Sequence, residues 1–495
     1  MKKIWLILLL LLGTACATKK IDQPISAEAC FANTQQNFSQ VFHCYRQAQT
    51  LRPLEYTLEN KTKENGIEIR RYRLISQTWS PGEIVTPAQW SHQITIIIPD
   101  QANKTQALLA INNGMRASGD MPARSPTDFP DEVLRTISAT SRTIIVAISD
   151  VPDQPLTYQG DSKPKAEDFS VAYSWSQFLK APQQQPFMPL QIPTMAAAVK
   201  AMDLATQELT PWQISKFTVT GISKRGWASW HTAIADPRVA AIVPFVFDAL
   251  DFRDFMQHTY MTYGKAWPIA LTPYYQQGIH EKRHQPNFEQ LLRIVDPIKY
   301  LETPSISRLS IPKYIVNVSG DDFFPPDSAR LYIDRLPGET TLMVIPNSDH
   351  GGVKQHVQQA LISFLKRTQH TNALPTLNSN LSKRFGTTTL SVSFSEQPSQ
   401  LTQWTAINSK ARDFRYACGI QYTATPLDPT AANEVNVLMP EATDGTWVAS
   451  FVEARFADGF VATTPVYILP DDVYPNSPPP AIGRACQTIP DIAAQ

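Results

Sequence analysis

The chain has 495 residues, of which 43% are apolar and 18% are charged, which supports a large hydrophobic core and excludes a disordered polypeptide. At roughly 150 residues per domain, this length predicts two large domains or about three smaller ones. Forty-four basic side chains balance forty-four acidic ones, and this neutrality excludes the basic surface of a nucleic-acid-binding protein.

Residues 1–16 have the pattern of a bacterial export signal, with two lysines and nine apolar residues ahead of Cys16. The site resembles a lipobox, in which the cysteine thiol is lipidated, although Gly13 stands where leucine is usual. A plain secretory signal cut after Ala15 is the alternative. Ala17 favours sorting to the outer membrane, by resemblance to Gram-negative lipoproteins. The sequence does not indicate which face of that membrane the protein occupies. Since no other run approaches 18 apolar residues, the lipid is the expected membrane attachment.

Four further cysteines are consistent with an oxidising compartment. Their spacing favours the pairs Cys30–Cys44 and Cys418–Cys486 among three pairings, and none forms the CxxC unit of a zinc ribbon or redox motif. Residues 17–45 are polar and lack clear periodicity, which predicts a tether and a small disulfide-pinned cap.

The region 46–370 alternates short β-branched runs with helix-length segments, including a helix over 195–209. This alternation predicts an α/β domain with a doubly wound, mostly parallel sheet. The predicted strands are 66–79, 92–99, 107–111, 143–148, 217–221, 240–247, 314–318 and 341–345. An insertion at 249–309, rich in aromatic residues and proline, is expected to cap the carboxyl edge of the sheet.

The pattern changes beyond residue 375, where short alternating segments are separated by turn residues. We expect a separate antiparallel β-sandwich domain over 376–495.

A candidate nucleophile, Ser223, lies between the strand 217–221 and a helical pattern that starts at Trp227. A strand-to-helix turn of this kind exposes the serine hydroxyl, and the following N–H, here that of Lys224, helps to form an oxyanion hole. Arg225 occupies a position where glycine is usual. The alternative is an ordinary turn or N-cap serine.

The partners of such a serine follow in the order acid, then histidine. Asp321 comes after the strand 314–318, with Asp322 in reserve, and His350 comes after the strand 341–345. His350 is then expected to accept the serine proton while the carboxylate orients its ring. In the loop after the strand 107–111, Met115 is the candidate second oxyanion donor and Asn113 a candidate substrate contact, with an ordinary Asn-Gly turn as the alternative.

The segment 280–284 matches the HExxH pattern of zinc proteases through His280 and His284. The pattern binds zinc only on an α-helix, where both imidazoles share a face. Because Gly278 and Pro286 bracket the segment, we interpret it as a solvated loop and expect no metal or other cofactor.

The chain resembles the PhoPQ-activated pathogenicity-related proteins, a family of predicted serine hydrolases with the α/β-hydrolase fold. The motifs that carry the resemblance are SKRGW at 223–227, DPRV at 236–239, GDDFFPPDS at 320–328, PNSDH at 346–350 and RDFR at 412–415. The resemblance implies that SKRG is the family's own nucleophile turn. It also implies that Asp321 is the acid, because the family usually has glutamate at 322. The family name implies a role in pathogenicity in some bacteria, and the resemblance extends to secreted eukaryotic proliferation-repressing proteins.

The sequence therefore predicts an exported serine hydrolase that cleaves an ester or peptide bond of a small-molecule or peptide substrate. One alternative is a carbohydrate esterase, in which Arg225 reads an acidic sugar. A second alternative is a non-catalytic secreted binding or signalling protein. The oligomeric state stays open.

Overall fold

A computed structural model of the chain describes residues 25–119, 121–370, 373–429, 433–442 and 445–490. The predicted export signal, with Cys16, lies outside the described residues. No helix within the described ranges is both long enough and apolar enough to cross a bilayer.

Most of the chain up to residue 370 builds a layered α/β structure. Its strands are β1 Glu55–Glu64, β2 Ile67–Thr78, β3 Val85–Thr86, β4 Gln89–Pro99, β5 Gln106–Ile111, β6 Ile144–Ile148, β7 Leu156–Tyr158, β8 Asp161–Lys165, β9 Lys216–Ile222, β10 Val239–Phe245, β11 Ala266–Pro268, β12 Lys313–Val318 and β13 Thr340–Ile345. Its helices are α1 Ala27–Asn33, α2 Val41–Thr50, α3 Asp131–Ser141, α4 Asp168–Lys180, α5 Gln191–Glu208, α6 Lys224–Ala235, α7 Phe252–Thr262, α8 Thr272–Gln276, α9 Pro286–Val295, α10 Ile306–Leu309 and α11 Val357–Gln369.

Within the described residues, the central sheet has nine strands in the order β1-β2-β4-β6-β5-β9-β10-β12-β13. The first four pair antiparallel, and the pairs from β6 through β13 are all parallel. Both faces of the parallel part of the sheet are buried, so its strands read as continuous apolar runs. Leu109 and Val219 belong to the core on one face and Leu108 and Ile145 to the core on the other. This topology confirms the predicted α/β-hydrolase fold.

The N-terminal region is more ordered than the sequence predicts. Helix α1 and the first half of α2 fall within the expected tether, and the predicted disulfide Cys30–Cys44 joins them. Phe42 and Tyr45 of α2 are buried in the hydrolase core.

The C-terminal region forms further antiparallel sheets, as predicted. Its strands are β14 Leu377–Arg384, β15 Thr387–Phe394, β16 Gln400–Asn408, β17 Thr423–Leu427, β18 Glu434–Leu438, β19 Trp447–Arg455, β20 Val461–Thr463, β21 Tyr467–Leu469 and β22 Thr488–Pro490. A three-stranded sheet (β14-β15-β18) and a five-stranded sheet (β17-β16-β19-β20, with β21 also on β19) share an apolar core. Strand β22 instead pairs with β11 of the 249–309 insertion, just after the second predicted disulfide, Cys418–Cys486.

The C-terminal sheets pack directly on the hydrolase sheet, so they are not a separate body. The Tyr314 hydroxyl of β12 donates to the Val461 carbonyl at 2.7 Å, and the Val344 amide of β13 donates to Thr463 Oγ1 at 3.0 Å. The hydrolase strands that end at the candidate site are thus braced from the C-terminal side.

Candidate active site

Ser223 lies on a sharp turn between β9 and α6. Its backbone has φ 58° and ψ −125°, a region that non-glycine residues rarely adopt, and its amide donates to the Phe245 carbonyl at 2.8 Å. The residue is only half-buried, although almost everything around it is buried. A strained, partly accessible serine at the start of a helix is the geometry of a nucleophile elbow.

Two glycines make this turn possible. A side chain at Gly221 would collide with the backbone carbonyl of Arg225, and one at Gly226 would come within 2.8 Å of the Phe245 carbonyl oxygen. The position two residues after the serine can therefore hold an arginine, because the close approach to β10 is made by Gly226 instead.

Arg225 is engaged by other groups of the protein, which argues against the expectation that it reads an acidic group of a substrate. Its side chain is buried, and its guanidinium donates to the Val151 carbonyl at 2.6 Å and to Glu167 at 2.7 Å, with Asp128 at 3.4 Å. Because these partners already engage the guanidinium, Arg225 holds together the loops beneath the elbow.

Lys224 forms a second ion pair at the same place. Its ammonium lies 2.8 Å from Glu167 and 3.1 Å from Asp168. Burial lowers the pKa of Lys224, but the two carboxylates outweigh it and hold the pKa above the ordinary value. Glu167 has a positive backbone φ of 53°, and its side chain sits between Lys224 and Arg225. Burial raises the pKa of Glu167, but these two cations outweigh burial and hold the pKa well below its usual range.

His350 and Asp321 meet at the carboxyl edge of the sheet, where the loops after β12 and β13 adjoin. His350 Nδ1 lies 2.9 Å and 3.1 Å from the two carboxylate oxygens of Asp321. Burial lowers the pKa of His350, but the adjacent carboxylate outweighs this effect, so the pKa lies above the ordinary value. Nε2 is the ring nitrogen that this pairing leaves for a proton from the serine.

Asp322 makes no such contact. Burial, together with the neighbouring Asp321 and Asp349 carboxylates, raises its pKa to about 6. One of its oxygens is buried with no hydrogen-bond partner among the described residues. The geometry therefore separates the two neighbouring acids, and Asp321 is the one that contacts the imidazole.

Ser223 and His350 follow parallel strands and so lie at the same edge of the sheet, although no hydrogen bond joins them among the described residues. The ring of His350 packs against Phe323 at 4.6 Å, and Phe323 lines the cavity onto which Ser223 opens. Loose serine–histidine geometry is common in unliganded enzymes and tightens on binding.

One predicted oxyanion donor fits this geometry and the other does not. The amide of Lys224 is in the first turn of α6, where N–H groups have no partner within the helix. The Met115 amide already donates to the Arg124 carbonyl at 3.0 Å, so Met115 is wrong as a free donor in this conformation.

Asn113 is also committed elsewhere, which corrects its assignment as a substrate contact. Its side-chain oxygen accepts from the amides of Thr127 at 2.7 Å and Asp128 at 3.0 Å. Its amide nitrogen donates to Thr127 Oγ1 at 2.9 Å. The side chain therefore pins the loop that carries Asp128, a partner of Arg225.

A C-terminal segment at 412–422 holds both loops of the Asp321–His350 pair. The Tyr416 amide donates to the Gly320 carbonyl at 3.0 Å, and a side chain at Gly320 would strike the Tyr416 backbone at 2.6 Å. Three residues before His350, Asn347 at φ 55° donates to the Tyr422 carbonyl at 2.9 Å and accepts from the Tyr422 amide at 2.6 Å. Sequence reasoning missed this segment as a part of the site.

The same segment is tied to the insertion through a buried charge cluster. Asp327 accepts from Arg412 at 2.7 Å and lies 2.8 Å from His258 Nε2 of helix α7. Arg412 also donates to Thr262, the last residue of α7, at 3.0 Å. Burial raises the pKa of Asp327, but Arg412 and His258 outweigh it and hold the pKa far below its usual range.

An apolar cavity opens beside Ser223, between the sheet edge and the 249–309 insertion. Side chains from both regions form its wall, including Trp227, Phe247, Phe252, Phe255, Trp267 and Phe324. The cap predicted from composition thus supplies much of the wall, but periodicity could not show which rings turn inward.

The HExxH segment does not form a zinc-protease motif. His280 begins a single turn of 3₁₀-helix, His280–Lys282, and His284 lies beyond it on an exposed turn. The interpretation as a solvated loop is wrong for His280, which is buried and stacks on Tyr275 with ring centroids 4.2 Å apart.

The model of a family described as PhoPQ-activated pathogenicity-related protein matches residues 42–415. The chain belongs to this family. The match confirms the resemblance of the sequence motifs, and it ends at Arg415, within the segment that holds the Asp321 loop.

Among relatives of this member of the PhoPQ-activated pathogenicity-related family, the autocrine proliferation repressor protein A of Dictyostelium discoideum is 27% identical over 425 residues. These cover 81% of this chain and 83% of that protein. Acetyl xylan esterase from Paenibacillus sp. R4 matches with a TM-score of 0.45 and 13% identity over 67% of this chain and 94% of its own. The glucuronoyl esterase from Solibacter usitatus matches with a TM-score of 0.38 and 11% identity over 64% of this chain and 86% of its own.

Proposed function

We propose that this protein is an exported serine hydrolase that cleaves an ester or peptide bond with Ser223 as nucleophile, His350 as general base and Asp321 as orienting acid. The observation that carries the proposal is the pairing of His350 Nδ1 with Asp321 at 2.9 Å, at the sheet edge where Ser223 stands on a strained turn. The three residues follow β9, β12 and β13, in the chain order of this fold's hydrolases.

In the proposed reaction, Ser223 Oγ attacks the substrate carbonyl carbon while His350 Nε2 takes its proton. The carbonyl oxygen gains the negative charge and is stabilised by the Lys224 amide. The intermediate collapses when His350 returns the proton to the leaving alcohol or amine. Water, deprotonated by His350, then releases the acyl group and restores the Ser223 hydroxyl.

The carbohydrate-esterase alternative rested on Arg225 as a reader of an acidic sugar. Since that guanidinium is buried and bound to Val151, Glu167 and Asp128, Arg225 no longer supports this alternative. The non-catalytic alternative gains no specific support, because a pure binder has no need of a strained serine next to an oriented imidazole.

The proposed location is the bacterial outer membrane, with a lipid on Cys16. The disulfides Cys30–Cys44 and Cys418–Cys486 are in keeping with a compartment outside the cytoplasm.

Hydrolysis of simple acyl esters and of dipeptidyl amides by the purified protein tests the activity. Ser223→Ala should abolish turnover, because no other hydroxyl occupies the elbow. Ser229→Ala is the matched control, since it removes a buried hydroxyl six residues further along the same helix and should leave kcat within about twofold. Equal turnover in wild type and Ser223→Ala would contradict the mechanism.

A further inference from the structure

The cavity beside Ser223 has a wall of fixed aromatic rings. Trp227 stacks on Phe247 with centroids 4.6 Å apart and on Phe252 at 5.9 Å, with interplanar angles of 18° and 8°. Phe255 packs on Phe324, which in turn contacts His350. Since each ring is held by the next, the wall is formed before substrate arrives.

The outer side of the cavity is also anchored. Helix α7, which supplies Phe252 and Phe255, is tied to the acid loop through His258 and Asp327. Strand β11, which supplies Trp267, is paired with β22 of the C-terminal region. The cavity therefore does not depend on a loose lid.

The charged groups at the cavity are already compensated. Asp168 accepts from the Tyr274 hydroxyl at 3.0 Å and pairs with Lys224 at 3.1 Å, while Glu167 takes the other side of Lys224 at 2.8 Å. A charged substrate group placed here would lose its water and find its counter-ions occupied. An uncharged group would lose nothing and would bury apolar surface.

Resting on the proposed function, we infer that this cavity holds an uncharged, ring-sized apolar part of the substrate next to the bond that Ser223 attacks. The preferred substrates are therefore neutral esters or amides with an aromatic or bulky alicyclic group, rather than acetyl esters of polar alcohols or esters with a carboxylate beside the scissile bond. The ring can belong to the acyl part or to the alcohol part, since both flank the same carbonyl.

Four esters separate these cases. Ethyl acetate has no ring, ethyl phenylacetate places the ring on the acyl side, and benzyl acetate places it on the alcohol side. Ethyl 4-carboxyphenylacetate adds a charge to the acyl-side ring. We expect one ring ester to exceed ethyl acetate in kcat/KM by roughly 10²-fold, because even one methylene in an apolar pocket changes kcat/KM by about 10-fold or more. We expect the charged analogue to lose most of that gain.

A matched pair of variants locates the effect. Phe255→Leu changes the cavity wall, whereas Phe364→Leu makes the same change in a buried ring stacked on Tyr314, in the core on the other face of the sheet. Phe255→Leu should lower the ratio of ring-ester to ethyl acetate kcat/KM by roughly tenfold. Phe364→Leu should leave that ratio and the ethyl acetate rate unchanged.

Binding to the Ser223→Ala protein keeps the two proposals apart. Saturation-transfer NMR should detect benzyl acetate or ethyl phenylacetate on this variant, and Phe255→Leu in the same background should weaken the signal. If wild type hydrolyses ethyl acetate as well as both ring esters, the cavity inference is overturned while the hydrolase stands. If no ester is hydrolysed but a ring ester binds, the hydrolase fails and the cavity inference holds. If no ester is hydrolysed and no ring ester binds, both fail.

Discussion

Replacing Asn347 tests whether the C-terminal segment positions the candidate active site. The Asn347 side chain exchanges two hydrogen bonds with the Tyr422 backbone, at 2.9 Å and 2.6 Å, three residues before His350. Asn347→Ala leaves the amide and carbonyl of the buried Tyr422 without these partners, at about 1–3 kcal/mol each. The left-handed backbone, at φ 55°, costs alanine about 1 kcal/mol more.

We therefore expect Asn347→Ala to lower the free energy of unfolding by roughly 3–7 kcal/mol in urea titrations. Because the loop that carries His350 loses its outer support, kcat should fall by roughly 10²-fold, as expected for a misplacement of about 1 Å. KM should stay nearly constant, since the cavity wall is untouched. Asn347→Gly should recover only the backbone part of the stability loss and should keep the low kcat.

Tyr314→Phe is the control for a general weakening of the contact between the C-terminal region and the hydrolase sheet. It removes the 2.7 Å bond to the Val461 carbonyl, near the start of β12 and away from the edge that carries the site. The free energy of unfolding should fall by about 1–3 kcal/mol while kcat stays unchanged. Equal kcat in wild type and Asn347→Ala, despite the lower stability, would refute the reasoning and leave the segment a purely structural role.

Four further outcomes are expected. In steady-state kinetics, Asp321→Asn should lower kcat/KM of the folded protein by about 10³- to 10⁴-fold, and Asp322→Asn should lower it far less. The reverse ranking would identify Asp322 as the acid. His350 acts as a base only when neutral, and its pKa is raised. The value of kcat/KM should therefore rise with pH, with a midpoint above the ordinary imidazole pKa of about 6.5. A midpoint below that value would contradict the Asp321 pairing. Activity assays should show no effect of EDTA or of His284→Ala, and a loss that zinc restores would favour a metal site. Cys16→Ser should move the protein from membrane to soluble fractions, and unchanged fractionation would exclude the lipid anchor.

The elements that bear the site were predictable because each has a local signal. Strand β9, with Gly221 two residues before the serine, marks Ser223, and apolar runs of β12 and β13 end just before Asp321 and His350. The spacing of the cysteines alone was enough to predict the two disulfides. The main strand missed was β1, whose side chains are nearly all exposed at the sheet edge and therefore show no apolar alternation.

What the sequence did not reveal depends on contacts between distant residues. Arg225 looked free because its partners Asp128 and Glu167 lie 97 and 58 positions away. Met115 looked available because a β-bridge to Arg124 has no local signature. The pairing of Asn347 with Tyr422 spans 75 positions and joins two regions that composition alone divides.

The most direct test of the central claim is the site of covalent labelling by a fluorophosphonate, read by peptide mass spectrometry on the folded protein. The account predicts one adduct per chain, on the peptide that contains Ser223, with labelling absent in Ser223→Ala and slowed strongly in His350→Gln. An adduct on another residue, or labelling of Ser223→Ala as fast as wild type, would contradict the assignment of Ser223 as the nucleophile.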